Sequence, residues 1–227
     1  SGGTTALFLD GGNSNFTKVL IDGVTVNLPG GAIDFSNFTL DNVDKVEVVR
    51  GAQSALRGSD AMTGVVELLT HRGSTRMPLL TLESWGGSFS TGRGMAQLSG
   101  LLGRFDYSAA ASYFSTAGQG VNNGFINRTL SGNFGWRLAD DNSVRITVRN
   151  NTSHAGSPGQ TLYVPPNLDQ SNALRNFSAG LAWQFSTGAH WQHQVTAFET
   201  YARQIFSNPL SDYYASPDPF GGCVLPR

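Results

Sequence analysis

Residues 176–186 alternate without a break, and that alternation constrains the fold more than any other feature. Phe177, Ala179, Leu181, Trp183 and Phe185 fall on one side of an extended chain; Asn176, Ser178, Gly180, Gln184 and Ser186 fall on the other. Successive side chains of a strand point to opposite faces, so this run makes one apolar and one polar face. The pattern recurs where Val144, Ile146 and Val148 oppose Arg145, Thr147 and Arg149. It recurs again where Leu130, Phe134, Trp136 and Leu138 oppose Thr129, Ser131, Asn133 and Arg137. Period two over about ten residues is the span a tilted strand needs to cross a bilayer. On period alone, a half-buried strand of a soluble sandwich fits equally well.

The connections separate the two. About seven strands are expected, at roughly 79–88, 93–102, 105–115, 125–138, 143–153, 174–186 and 190–206. The turns after the second, fourth and sixth are tight, whereas those after the third and fifth, 116–124 and 154–173, are long. Only the first, at 89–92, is short on the long side. Tight turns on one rim and long loops on the other are the arrangement of an outer-membrane barrel. Aromatic residues follow the same sorting. Phe105, Tyr107, Trp136, Trp183, Phe185 and Trp191 sit near tight turns, and Tyr113, Phe125, Phe177, Tyr201 and Phe206 near long loops. Two aromatic girdles at the membrane boundaries are expected from this.

Composition agrees and excludes other classes. Only 14 % of the 227 residues are charged, against roughly 25 % in soluble domains, and the formal net charge is −1. No global field draws the chain to nucleic acid. With 28 glycines and 39 % hydrophobic residues it is a neutral-polar β composition. Cys223 stands alone, so no intrachain disulfide forms, and no window approaches the ~18 apolar residues of a membrane helix. No starting Met or signal-peptide pattern is present, so any such leader is expected outside this chain.

Residues 1–75 read differently, as a compact mixed domain. Short apolar runs at 6–9, 18–21, 43–49 and 64–70 are punctuated by glycines, and 36–41 and 54–56 suit a turn of helix each. The stretch VLIDGVTVN at 19–27, followed by DFSNFTLDNVDKVEVVRGAQSALRGSDAMTGVVELLTHRG at 34–73, resembles the plug domain of TonB-dependent outer-membrane transporters. The nearest flavour is the cobalamin/siderophore branch. Asp10, Ala52 and Arg57 depart from the family's usual Arg, Pro and Tyr. The implied fold class is a mixed α/β plug at 1–75 followed at 76–227 by antiparallel transmembrane β-barrel strands, a partial barrel of about seven.

The resemblance also implies function. A scarce nutrient, such as cobalamin or a ferric siderophore, would be imported across the bacterial outer membrane, with no catalysis and no resident cofactor. The implied partners are the TonB–ExbB–ExbD energising complex, outer-membrane lipid and lipopolysaccharide, and a metal chelate or corrinoid ligand, but no nucleic acid. Apical plug loops hold ligand in the family. The matching segments are 11–15 and 27–36, giving Asn13, Ser14, Asn15, Asn27, Asp34 and Ser36 as candidate contacts. Turns favour these residue types for conformational reasons as well. Glu47 and Arg50 match positions that pair with charges on the barrel wall. The loop at 154–173, with Tyr163, Pro165 and Pro166, is a second candidate surface.

There is no phosphate-binding Gly-rich loop carrying Lys, and no nucleophile elbow. His190 and His193 lie three apart on a strand and so point to opposite faces. Seven crossings leave an odd count and an outer tail at 212–227, so a piece of a protein some three times longer is expected. A secreted glycine-rich adhesin or lectin is the alternative; a plain pore or signalling receptor on the same scaffold is a further one.

Overall fold

The computed structural model describes residues 5–28, 30–31, 33–58, 60–159, 167–188 and 190–209. Two sheets carry the fold. The first domain contains β1 (Thr17–Ile21), β2 (Val24–Thr25), β3 (Val43–Arg50), a single helical turn α1 (Ser54–Arg57) and β4 (Gly64–Thr70), in the order β2-β1-β4-β3. β1 runs parallel to β4, while β2 and β3 are antiparallel to their neighbours. β1 buries Val19 and Ile21 on one face and Leu20 on the other, with Lys18 half-buried. Val19, Ile21, Val66, Leu68 and Leu9 form one cluster, and Leu20, Val65 and Ala61 a second across the sheet. Residues 6–9, read from sequence as a strand, lie in irregular backbone and contribute Leu9 to that core. β2 went unforeseen, although Asp22 and Gly23 both take positive φ in the two-residue turn that makes the β1–β2 hairpin. The helical turn expected at 36–41 is a 3₁₀ turn over Phe35–Asn37.

The second sheet is a seven-stranded antiparallel meander. Its strands are β5 (Leu79–Gly87), β6 (Thr91–Leu102), β7 (Phe105–Thr116), β8 (Phe125–Ala139), β9 (Asn142–Gly156), β10 (Ser171–Thr187) and β11 (Trp191–Ser207). All seven expected crossings are present, several extended by two or three residues. Expected features within 160–166 and 210–227, including Tyr163, Pro165, Pro166, Cys223 and the outer tail, lie outside the described residues.

Burial on this sheet is inverted relative to a soluble protein. Asn133, Ser108, Thr129 and Asn127 are at most 3 % exposed, whereas Leu130 is 59 % and Ile146 45 % exposed. The polar face is covered by the first domain, and among the described residues the apolar face of 144–148 and 177–185 meets no second layer. A sandwich would bury the face that is bare here. Burying polar side chains requires hydrogen bonds, and exposing apolar ones on this scale requires a non-aqueous surround.

The girdle assignment needs correction at two positions. Phe125 shares the inward parity of Asn127 and Thr129, is buried, and packs at a tilt against inward-facing Phe114, ring centroids 6.0 Å apart. By register, Phe206 lies on the same inner face. The reason is the one-in-two side-chain period: proximity to a loop does not fix which face a residue takes. Phe105, Phe134 and Trp136 do cluster on the outer face near the tight turns.

Candidate functional site

The first domain meets the wall through one segment above all, residues 37–42, which leave the Phe35–Asn37 turn and lead into β3. Asp41 is buried and ion-paired to Arg93 of β6, and it accepts a 2.5 Å hydrogen bond from Ser112 Oγ of β7. Ser108 Oγ donates to Asn42 Oδ1 at 2.5 Å. On β8, Asn127 Nδ2 donates to the carbonyl of Asn37 at 2.9 Å, and Thr129 Oγ1 lies 3.0 Å from Thr39 Oγ1. On β9, Ser153 Oγ donates to Asn37 Oδ1 at 2.9 Å. Arg149 of β9 donates to the Thr39 carbonyl and stacks over the Phe38 ring at 4.6 Å. Four successive strands therefore grip six residues by polar contacts. A second tie lies deeper, where Asn133 Nδ2 donates to Thr70 Oγ1 at 2.6 Å. Asn133 in turn accepts from Arg145, which is paired with Asp106 at 2.9 Å.

Two glycines permit the close approach. A Cβ at Gly180 of β10 would lie 2.3 Å from Val24 of β2, and one at Gly73 would lie 2.0 Å from the Gly100 carbonyl of β6. Both are contacts that no side chain tolerates. Gly73 sits where the chain leaves the first domain for the wall, and Leu101 N–H then bonds Thr75 O at 2.8 Å.

Beside this grip a cavity of about 350 Å³ opens between the domain and β9–β11. Asn27, Asp34 and Asn37 line it from the domain, and Arg149, Asn151 and Asn176 from the wall. The Asn151 and Asn176 amide oxygens are buried and have no hydrogen-bond partner among the described residues. Such acceptors are costly to leave unmet, so they are suited to a donor brought in from outside.

Of the six candidate contacts, Asn27 and Asp34 line this cavity, and both are already engaged in shaping loops. Asn27 Oδ1 accepts from Val19 N–H at 2.7 Å, and its Nδ2 donates to the carbonyls of Thr17 (2.9 Å) and Gly31 (2.7 Å). Asp34 accepts from the N–H groups of Thr5 and Ser36, both at 2.9 Å, and from Asn37 Nδ2. Asn13 likewise caps its own turn through the Asn15 N–H, with Ser14 Oγ donating to it at 3.3 Å. Ser36 Oγ accepts from Asn37 Nδ2 at 3.2 Å. Asn13, Asn27 and Asp34 thus hydrogen-bond within their own loops, and the unmet acceptors lining the cavity are the amide oxygens of Asn151 and Asn176.

Glu47 and Arg50 do not supply the charged ties seen here. Glu47 pairs with Lys45 on its own strand at 2.5 Å, and Arg50 is exposed on β3. The ion pair that crosses to the wall is Asp41–Arg93. The alternation puts Arg145 and Arg149 on one face, yet it carries no signal for Phe38 and Thr39, the partners of Arg149, which lie in irregular backbone. It also missed the inward aromatic trio of Trp85, Phe114 and Phe125, linked ring to ring at 6.0 Å near the long-loop rim.

Comparison with known proteins fits this architecture. A family model for the TonB-dependent receptor plug domain matches residues 1–65. The chain is similar in structure to the ferric yersiniabactin uptake receptor FyuA from Yersinia pestis, with 17 % identity over 87 % of this chain and 33 % of that one, TM-score 0.70. It is similar to the siderophore receptor PirA from Pseudomonas aeruginosa, with 21 % identity over 86 % and 34 % of the two chains, TM-score 0.61. It is similar also to the copper transporter OprC, with 16 % identity over 92 % and 33 %, TM-score 0.72. The chain thus spans about a third of the length of these structures. Residues 1–65 thus match the TonB-dependent receptor plug domain, and the chain as a whole shares the fold of these structures.

Proposed function

We propose that this chain serves energised import of a metal-bearing nutrient, with a ferric siderophore as the leading ligand class and the TonB–ExbB–ExbD complex as its energy source. The observation that carries the reading is the chemistry of the plug–wall seam. The ties at 37–42 are hydrogen bonds to Ser, Thr, Asn and Arg and one ion pair, Asp41–Arg93. A hydrogen bond exchanged for one to water costs only about 0.5–1.5 kcal/mol net, so such a seam can be opened and remade, whereas an apolar seam would lock. The lumen cavity with two unmet amide oxygens supplies the place where ligand arrival is felt. The metal character follows the siderophore and copper names of similar structures; a corrinoid has no such support.

The test is uptake by the full-length receptor in its own cells. Deletion should abolish accumulation of radioactive iron from at least one ferric chelate in a defined panel, and an uncoupler of the proton-motive force should do the same. Binding of that chelate to purified receptor should weaken in N151A and N176A. Iron and copper accumulation unaffected by both deletion and uncoupler would overturn the proposal.

A further inference from the structure

A second cavity, of about 470 Å³, opens between the first domain and β8–β11 on the tight-turn side of the one already described. Strand register arranges the wall between the two in layers. Nearest the tight turns, Arg137, Ser143, Gln184 and Gln194 form a row on the inner face, each directly opposite the next. Farther up β10, Gly180 is opposite Thr147 and Phe198, and farther again Asn176 is opposite Asn151. Gly180 is midway, about 13 Å along the strand from Gln184 and from Asn176 alike.

The midway layer is where the first domain touches β10. Val24 of the β1–β2 hairpin lies against Gly180, and Phe198 takes the inward parity between Thr196 and Thr200. The hairpin lends Asp22, Gly23 and Val24 to the larger cavity, and Ile21, Val26 and Asn27 to the smaller. It is therefore the partition between them, seated where β10 and β11 present Gly180 and Phe198 instead of polar side chains.

Four arginines and three acids line the larger cavity, for a net charge of +1. Arg145 is paired with Asp106, and Arg57 with Glu67 at 3.3 Å. Asp22 accepts from Thr70 N–H at 3.0 Å and from Thr70 Oγ1 at 2.5 Å. The guanidinium groups of Arg72 and Arg137 have no such partner among the described residues, and neither do the amides of Gln184 and Gln194. Two guanidinium forks and two amide NH₂ groups thus line one cavity as unused donors. A guanidinium fork takes two carboxylate oxygens at once, so the matching ligand is an anion with several oxygens.

We infer that this cavity is a second ligand site, for a small polycarboxylate. Arg137, with Gln184 and Gln194, holds one carboxylate from the wall, and Arg72 holds another from the first domain. Its volume falls in the usual range for small-molecule sites, about 300–1,000 Å³. Ligand moves from the first site to this one when Val24 leaves Gly180 and the partition opens, and the unpaired arginines favour an anion on the far side. The direction of travel rests on the import reading above, with the tight-turn rim facing the periplasm; the anion site itself does not.

The test uses the full-length receptor purified in non-ionic detergent, with citrate as the probe and its uncharged triethyl ester as control. Calorimetry should show citrate binding that the ester lacks. R72Q/R137Q should weaken it about tenfold or more, whereas R175Q, on the outer face of β10, should leave it unchanged. Heat-modifiable migration on gels verifies folding, and R137Q alone, with a loss of about threefold or more, replaces the double variant should that one misfold. The partition is tested with a staple. A Cβ at Gly180 would lie 3.7 Å from Val24 Cβ, the separation found in disulfides. Oxidised V24C/G180C, in a receptor whose other cysteines are Ser, should lose radioactive-iron accumulation from the chelate panel and regain it with reductant. Its citrate binding should persist in both states. Citrate bound no better than the ester, or bound equally by wild type and the folded arginine variants, would overturn the site. Uptake undiminished with the staple closed would overturn the partition. Citrate binding is read without uptake, so the site can fail while the deletion and uncoupler results stand, and the reverse.

Discussion

Replacing Asp41 with Ala removes the only buried carboxylate among the plug–wall ties described here, and the structure fixes how much that should matter. Asp41 holds Arg93 and Ser112, and its side chain is 2 % exposed while that of Arg93 is 22 % exposed. Breaking a buried pair from one side costs about 3–5 kcal/mol, because the partner charge stays buried. Arg93 retains a second acid, Glu83 at 2.6 Å, so the lower end applies. About 3 kcal/mol corresponds to roughly two orders of magnitude in the equilibrium that releases 37–42 from the wall. Hydrogen exchange of the full-length receptor reads this locally. The amides of Phe38, Val43 and His71, each hydrogen-bonded within or beside the segment, should exchange about 100-fold faster in D41A. The β1 and β4 amides should stay protected. A cycle with R93M should return a coupling of more than about 1 kcal/mol. Exchange at 38–43 unchanged within a few-fold, or acceleration spread evenly over β1 and β4, would refute the assignment of this segment as the anchor.

Three further outcomes follow from the same geometry. G180L should drive a side chain into Val24 and unseat β2 from the wall, read as protease sensitivity of residues 17–30 in a barrel that still assembles. N27A should lower plug stability by about 1–3 kcal/mol, since it leaves the buried Val19 N–H without its acceptor; thermal melting would measure the loss, and chelate affinity should fall only in proportion to unfolding. L181R, on the outward face of β10, should destabilise the receptor in lipid vesicles by roughly 2–4 kcal/mol, whereas T147R, on the inward face, should displace the plug and leave insertion into vesicles intact.

What was legible from sequence divides by the kind of physics involved. The seven wall strands could be read because lipid outside and a polar lumen inside force a strict two-residue period, as in 176–186. The plug strands could be read where β-branched runs such as 64–70 are bounded by glycine, and the two-residue strand β2 could not, being too short to show a period. The ties between domains were out of reach. Asp41 meets Arg93 and Ser112 across separations of 52 and 71 residues, from an irregular segment whose sequence, NFTLDN, is that of any turn. The candidate contacts at 13–36 come from the plug segments matching the family's apical loops, and there Asn13 and Asp34 also cap their own turns, since the same short side chains that suit a ligand also suit a cap.

That division bears on how the molecule can work. The wall's outward face is specified residue by residue through lipid, while the plug is held by groups that water can replace. Its grip is also lopsided: 37–42 and Thr70 are tied to β6–β9, whereas β1, β2 and the Asn27 loop border the cavity beside β9–β11. A pull that disrupts the plug would meet the lesser resistance along that second side, because fewer polar bonds cross it. The cavity with the unmet Asn151 and Asn176 oxygens lies on that side, so a ligand bonded to both would stiffen the side that must yield. Under the import reading proposed above, ligand binding and plug opening would be coupled through the same few amides, and N151A/N176A should loosen that coupling, leaving exchange at residues 17–28 insensitive to added chelate while exchange at 38–43 stays slow.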